Sequence, residues 1–306
     1  MAGKTLKIVV LGGSGFIGAH VLRALSGRAD VDLHWVRRHA TPSPDIDGLP
    51  APVLIEDLEA VDIKWLSDAD VIVDLVSRGR GRMVQTRDIN LRIRPHLRII
   101  DGLINAGSRA HYILLSSGGA VYGTTSEAVI HETHLCSPQT EYGLEKAIVE
   151  MHLQAAAQTT LEATILRVTN AYGLGQPIKP GFGVIPTMVS AMDTGTPFRV
   201  FGSGEMQRDY VNVIDVRGAI EAAIKVGGSG IVNIGTGQGT SINDLIALVQ
   251  ELSGRELALE FVESGTEPGF AQLDTTRARE VLGWTPTISL HDGVREILEA
   301  AGLARA

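Results

Sequence analysis

Gly12-Gly-Ser-Gly15-Phe-Ile-Gly18 stands directly after the apolar run Leu6-Lys-Ile-Val-Val-Leu11. The run reads as a buried strand. Residues Phe16–Ser26 then place Ile17, Val21, Leu22 and Leu25 at helical spacing, which reads as a helix with one apolar face. A glycine turn between a strand and a helix has a particular use. It is tight, and its backbone N–H groups and the helix N-terminus can approach a pyrophosphate closely. Gly12, Gly15, Phe16, Ile17 and Gly18 are therefore candidate dinucleotide-binding residues.

The same alternation continues outward. Further strands are expected at Val31–Val36, Pro52–Ile55, Ala69–Leu75, Tyr112–Ser116 and Glu162–Arg167, with helices at Leu91–Ala106 and Glu141–Thr159. Strands that alternate with crossover helices predict an α/β fold of Rossmann type, a parallel sheet with helices on both faces. Past Gly173 the pattern loosens. Gln176–Phe182 is turn-like, Ile231–Ile234 reads as a strand, and Ile242–Leu252 as a helix capped by Thr240 or Ser241. Leu282–Trp284 and Ile288–Ala300 suggest a last turn and helix. Residues 1–173 are expected to form the dinucleotide core with its catalytic groups. Residues 174–306 are expected to form a smaller, interleaved substrate lobe, with the segment around 208–235 returning to the core.

Composition narrows the class. The chain has 306 residues, 44% of them hydrophobic, and 27 Lys+Arg against 35 Asp+Glu give a formal charge of -8. That balance argues against a nucleic-acid partner. Cys136 is the single cysteine, so there is neither an intrachain disulfide nor a thiolate cluster for zinc. A cytoplasmic location is expected. The apolar stretch at Lys4–Leu11 is too short for a membrane span, and no membrane partner is expected. His131, Glu132 and His134 fall in a loop without further ligands, so no metal is expected.

The second strand ends Leu33-His-Trp-Val-Arg37-Arg38. An NAD site usually carries an acidic residue there, on the adenine ribose. Two arginines stand in its place and favour the extra phosphate of NADP(H); the alternative is a solvated basic loop. Asp57 and Leu58 follow the third strand and can face the adenine, though Asp57 would serve equally as a strand-end cap.

Tyr142 and Lys146 lie four positions apart on one helix face. A phenol with a pKa of about 10 is a poor base at neutral pH. A nearby ammonium lowers that value, and Tyr142 can then exchange a proton with a substrate oxygen. Lys146 can also hold the nicotinamide ribose. A surface pair on an amphipathic helix is the plainer alternative. Ser116 and Ser117 end the fifth strand, and one of them, Ser117 by preference, can bond the reacting oxygen; otherwise both are turn hydroxyls. Tyr122 either lines the sugar pocket or supports its loop.

These pieces, with Ser116-Ser-Gly-Gly-Ala-Val-Tyr-Gly123, Leu166-Arg-Val-Thr-Asn170-Ala-Tyr-Gly173, Arg208-Asp-Tyr-Val211, Asn233-Ile-Gly-Thr-Gly237 and Leu282-Gly-Trp284, span nearly the whole chain. Together they resemble the extended short-chain dehydrogenase/reductase family, in its branch of nucleotide-sugar epimerases, dehydratases and reductases. The resemblance implies that Asn170 meets the substrate pyrophosphate or ribose and that Arg208 pairs with a phosphate. It also implies a homodimer through the helices near 91–106 and 141–159.

The chain departs from that pattern in several places. Gly118 stands four before Tyr122, where many relatives place a catalytic Ser or Thr. Ser264–Ala271 lacks the arginine many relatives use for the second phosphate. Gly118-Gly119-Ala120 carries no carboxylate, which makes dehydration the least favoured reaction. What the resemblance and the arginines imply together is an NADPH-dependent 4-keto reductase of a UDP- or dTDP-linked hexose, with Tyr142 as proton donor. The alternative is a 4-epimerase with tightly bound NAD. A non-catalytic NADP(H)-binding protein is the third reading.

Overall fold

In β1, Leu6–Leu11, the residues Ile8 to Leu11 are fully buried, as a strand covered on both faces requires. This computed structural model describes residues 5–77, 89–123, 125, 127–178, 183–263 and 272–305. Ser264–Ala271, where the arginine is missing, lies outside the described residues, and the turn at Gln176–Phe182 is described only as far as Ile178.

Six more strands join β1 in the central sheet: β2 Val31–Arg38, β3 Val53–Ile55, β4 Val71–Asp74, β5 His111–Ser117, β6 Glu162–Val168 and β7 Gly230–Ile234. Their order is β7-β6-β5-β4-β1-β2-β3. Every neighbouring pair is parallel. The chain reverses its direction of travel across the sheet between β1 and β4. That switch point leaves a crevice beyond the strand ends, which is where such sheets bind ligands.

The pleat sends alternate side chains of β1 to opposite faces. Ile8 and Val10 meet Val21 and Leu22 of helix Phe16–Leu25 and Val216 and Ile220 of helix Val213–Val226. Val9 and Leu11 meet Ile99 and Leu103 of helix Asn90–Asn105 and Val149 and Leu153 of helix Glu141–Ala156. The sheet is therefore covered on both sides.

A second core lies C-terminal to it. Met188 of helix Val184–Thr194, Leu245 and Val249 of helix Ile242–Ser253, and Val294 and Leu298 of helix Leu290–Ala300 pack together. Ser241 caps the middle helix in a reciprocal box with Asp244. This lobe is interleaved with the sheet: β7 forms one sheet edge, and Tyr210–Asn212 pairs in parallel with Asn170–Tyr172.

The short helices Ile63–Ser67, Gly118–Val121 and Thr276–Leu282 and two longer ones escape the sequence pattern. Val213–Val226 is rich in β-branched residues, which read equally well as strand; Asn212 starts it by accepting the Ile214 N–H. Val184–Thr194 begins after Gly183, which offers no side-chain cap, and carries Pro186 in its first turn, where proline is tolerated. Among the described residues no helix is long and apolar enough to cross a membrane. Nor do three or more His, Cys, Asp or Glu side chains gather there to hold a metal.

Candidate active site

A cavity of about 460 Å³ opens at the switch point. Its floor is the glycine turn. Gly12 has φ +82°, and a Cβ there would stand 3.1 Å from the Val76 nitrogen. A Cβ on Gly18 would stand 2.3 Å from the Gly12 carbonyl oxygen. Only hydrogen fits at Gly18, and at Gly12 a side chain would crowd the backbone at a left-handed φ, so helix Phe16–Leu25 starts hard against the strand end. Gly15 caps that helix without a side-chain bond. Gly12, Gly15, Phe16, Ile17 and Gly18 all line the cavity. A tight turn that presents uncapped helix amides to a cavity fits a dinucleotide pyrophosphate.

Tyr142 and Lys146 also line the cavity. Thr140 caps their helix by accepting the Gly143 N–H at 3.0 Å. A Cβ on Gly143 would stand 2.4 Å from the Ala120 carbonyl oxygen, so the helix is seated directly on the turn after β5. Lys146 is buried, and its Nζ donates to the Val76 carbonyl at 3.0 Å.

Strand alternation separates the two serines. Ser116 lines the cavity, and its Oγ donates to Glu150. Ser117 is fully buried and lies outside the cavity lining. Tyr142, Lys146 and Glu150 therefore occupy one face of one helix at successive turns. Glu150 is clamped at 2.7 Å by Arg167, with both side chains buried. Burial works to lower the Arg167 pKa, but the bonds and charge of Glu150 hold it above its ordinary value. The Arg167 guanidinium also covers the ring of Tyr122, 4.7 Å from its centroid. Tyr122 donates its hydroxyl to Asn233 Oδ1 at 2.7 Å and supports the loop from behind the cavity wall. Burial pushes its phenol up to about 12.

Asn170 lines the cavity, and its amide donates to the Asp209 carbonyl at 3.0 Å. Arg208 is half-buried beyond the lining. It donates to the Gln207 carbonyl at 2.8 Å and makes no ion pair among the described residues. Burial lowers its pKa. The neighbouring Asp209 carboxylate is taken by the Thr236 N–H and hydroxyl and the Gly237 N–H. A partly desolvated guanidinium without a counter-charge favours an anionic ligand.

Leu11 pairs with Val36, so Arg37 and Arg38 extend past the end of β1 on the edge that holds the glycine turn. Arg37 donates to the Thr41 carbonyl, and its buried Nε has no partner among the described residues. Arg38 is exposed. Asp57 caps a single 3-10 turn, accepting the Glu59 N–H at 2.8 Å, and Leu58 is buried in the core. These four residues lie outside the lining of the cavity.

The structure adds residues that the sequence did not single out. Thr169 and Gln176 line the cavity, and Thr169 Oγ1 and Gln176 Oε1 are buried without a hydrogen-bond partner among the described residues. Thr169 adjoins Asn170 and Gln176 follows later in the same run after β6, and that proximity was the available signal. Asp74 ends the otherwise apolar Val71-Ile-Val; a carboxylate closing a buried strand was the signal there.

The model of the NAD dependent epimerase/dehydratase family matches residues 8–235. A UDP-glucose 4-epimerase of Rhizobium leguminosarum bv. trifolii is 28% identical over 331 residues, covering 96% of each chain. A dTDP-4-dehydro-6-deoxyglucose reductase of Escherichia coli is 32% identical over 191 residues, which cover 61% of this chain and 60% of its own. Among solved structures, a UDP-glucose 4-epimerase of Thermotoga maritima with UDP-glucose superposes with a TM-score of 0.84 at 30% identity, covering 97% of this chain and 99% of its own.

Proposed function

The chain belongs to the NAD dependent epimerase/dehydratase family, and on that footing we propose that it is an NADPH-dependent 4-keto reductase of a dTDP- or UDP-linked sugar. The observation that carries the reductase reading is the end of β2. Arg37 and Arg38 stand there without a carboxylate, and the Arg37 Nε is buried and unpaired among the described residues. Two guanidinium groups suit the extra phosphate of NADP(H) and leave an NAD ribose without its usual acceptor. The partial likeness to a dTDP-sugar reductase supports the same reading.

The glycine turn and the N-terminus of helix Phe16–Leu25 would hold the pyrophosphate, and Lys146 the nicotinamide ribose. When bound, the dihydronicotinamide supplies a hydride for C4 of the sugar. Tyr142 donates its proton to the C4 oxygen as that oxygen gains negative charge. Lys146 then offsets the charge left on the phenolate. Asn170 and Arg208 meet the nucleotide diphosphate. Leu91 on one helix and Leu144 and Met151 on its neighbour are exposed, which supports a homodimer through Asn90–Asn105 and Glu141–Ala156.

The full-length likeness to UDP-glucose 4-epimerases favours a second reading, a 4-epimerase with tightly bound NAD. Mass identification of nucleotides released from fresh protein, with NADPH and NADH titrations, separates the two. Exchangeable NADPH and oxidation of one NADPH per 4-keto sugar reduced support the reductase. Retained NAD and C4 inversion without net redox change overturn it in favour of the epimerase.

A further inference from the structure

β4 ends on Asp74, a carboxylate with no solvent exposure. Burying that charge is costly unless each oxygen is matched. Here both are. Oδ2 accepts the Tyr112 hydroxyl at 2.6 Å and stands 2.7 Å from His96 Nδ1. Oδ1 accepts the Val76 N–H at 3.0 Å. Tyr112 and His96 are buried as well. Burial works to raise the Asp74 pKa, yet His96, Lys146 and Tyr112 outweigh it and hold the carboxyl at about 2.

None of this touches the cavity directly, since Asp74, His96 and Tyr112 are absent from its lining. Val76 makes the connection. Its N–H is held by Asp74, and its carbonyl accepts the Lys146 ammonium at 3.0 Å. The same segment backs the glycine turn, where a Cβ on Gly12 would stand 3.1 Å from both the Leu75 carbonyl carbon and the Val76 nitrogen. A lysine on a flexible four-carbon stem needs a fixed acceptor to keep one position.

We infer that Asp74 is a positioning residue for Lys146. Its carboxylate, locked by His96 and Tyr112, fixes Val76 so that the carbonyl holds the ammonium beside Tyr142. The inference rests on the reading of Lys146 given above.

A double-mutant cycle tests it. Asp74→Asn is compared in the wild-type and Lys146→Met backgrounds, by NADPH fluorescence titration and by kcat and KM. In the wild-type background Asp74→Asn should weaken NADPH about fivefold and lower kcat about tenfold, with the sugar KM within about twofold. In the Lys146→Met background it should change the NADPH Kd and kcat by less than about twofold. Equal losses in both backgrounds would make Asp74 a general support of the fold and overturn the assignment. So would an Asp74→Asn protein with wild-type Kd and kcat.

If Asp74→Asn folds poorly, Tyr112→Phe carries the same cycle. It removes one donor and leaves the carboxylate and its His96 contact in place. Its smaller loss should likewise vanish without Lys146, and an equal loss in both backgrounds overturns the inference. The NADPH arm needs no sugar. A wild-type protein inactive on 4-keto nucleotide sugars, with the NADPH cycle behaving as stated, sinks the functional reading and leaves the role of Asp74 supported.

Discussion

Leu273 fills the space beside Gly118: a Cβ at position 118 would stand 2.4 Å from Leu273 Cδ1 and 3.1 Å from the Arg167 carbonyl oxygen. A serine cannot be placed there without moving its neighbours. Overpacking of this kind costs about 1–3 kcal/mol, and Gly118→Ser should lower stability by that amount. Leu273→Ala opens the space at its own cavity cost, about 2–5 kcal/mol for a buried leucine. The two losses should not add, because the second relieves the first. Urea unfolding of both single variants and the double variant measures the coupling. Strict additivity would mean that the two residues do not compete for the same space.

Tyr142 and Lys146 line the same cavity as the glycine turn. Tyr142→Phe keeps the ring and removes the proton. General acid–base groups contribute roughly 10²–10⁴ in rate, so kcat should fall within that range while NADPH affinity stays within about threefold. Stopped-flow turnover and fluorescence titration check the two halves separately. A Tyr142→Phe enzyme with near-normal kcat would remove Tyr142 as the acid.

The parallel sheet was legible because β1, β4 and β5 carry unbroken apolar stretches at residues 8–11, 71–73 and 112–115, and such runs announce strands buried on both faces. The glycine turn was legible for a steric reason: a side chain at Gly18 meets the Gly12 carbonyl, and one at Gly12 is strained by its left-handed φ. Tyr142 and Lys146 were legible from helical spacing. What the sequence hides is which way a side chain turns at a strand end. Ser116 and Ser117 are adjacent and chemically alike, and only the pleat decides that Ser116 meets the cavity. Asp57 illustrates a second limit, since a carboxylate after a strand can cap a turn or meet a ligand, and here it caps. The helix Val213–Val226 was hidden because its valines and isoleucines point to strand by local preference, and packing on helix Phe16–Leu25 overrides that preference.

Arg37 and Arg38 lie past the end of β1 on the edge that holds the glycine turn. If they hold the extra phosphate of NADP(H), Arg37→Asp combined with Arg38→Ala should weaken NADPH at least about tenfold, two charge-assisted contacts being lost. NADH should change by less than about threefold, or bind more tightly through the new carboxylate. Paired titrations of the variant and the wild type decide the matter. Equal changes for the two cofactors would return both arginines to the solvated surface.

His111, at the foot of β5, gives stability a pH dependence of its own. The Thr164 hydroxyl donates to the Gly227 carbonyl at 3.2 Å, so the 2.8 Å contact with His111 Nε2 requires that nitrogen to carry the proton. Nδ1 is then bare, buried and without a partner among the described residues. Burial drives the pKa down to about 4 from 6.5, against a small upward pull from Glu162. The unfolded chain therefore binds this proton near pH 6.5, while the folded chain refuses it until about pH 4. Between those values the unfolded state holds more protons, so stability falls as pH falls. The full difference is about 3 kcal/mol, and most of it is spent by pH 4.5. Asp74, held at about 2 against an ordinary 3.8, acts in a separate window below pH 4. His111→Gln cannot titrate and can still donate to Thr164. Its loss of stability between pH 7 and pH 4.5, measured by urea unfolding, should be smaller than that of the wild type by about 2 kcal/mol. An identical loss in the two proteins would show that His111 takes up its proton in the folded state as readily as in the unfolded one.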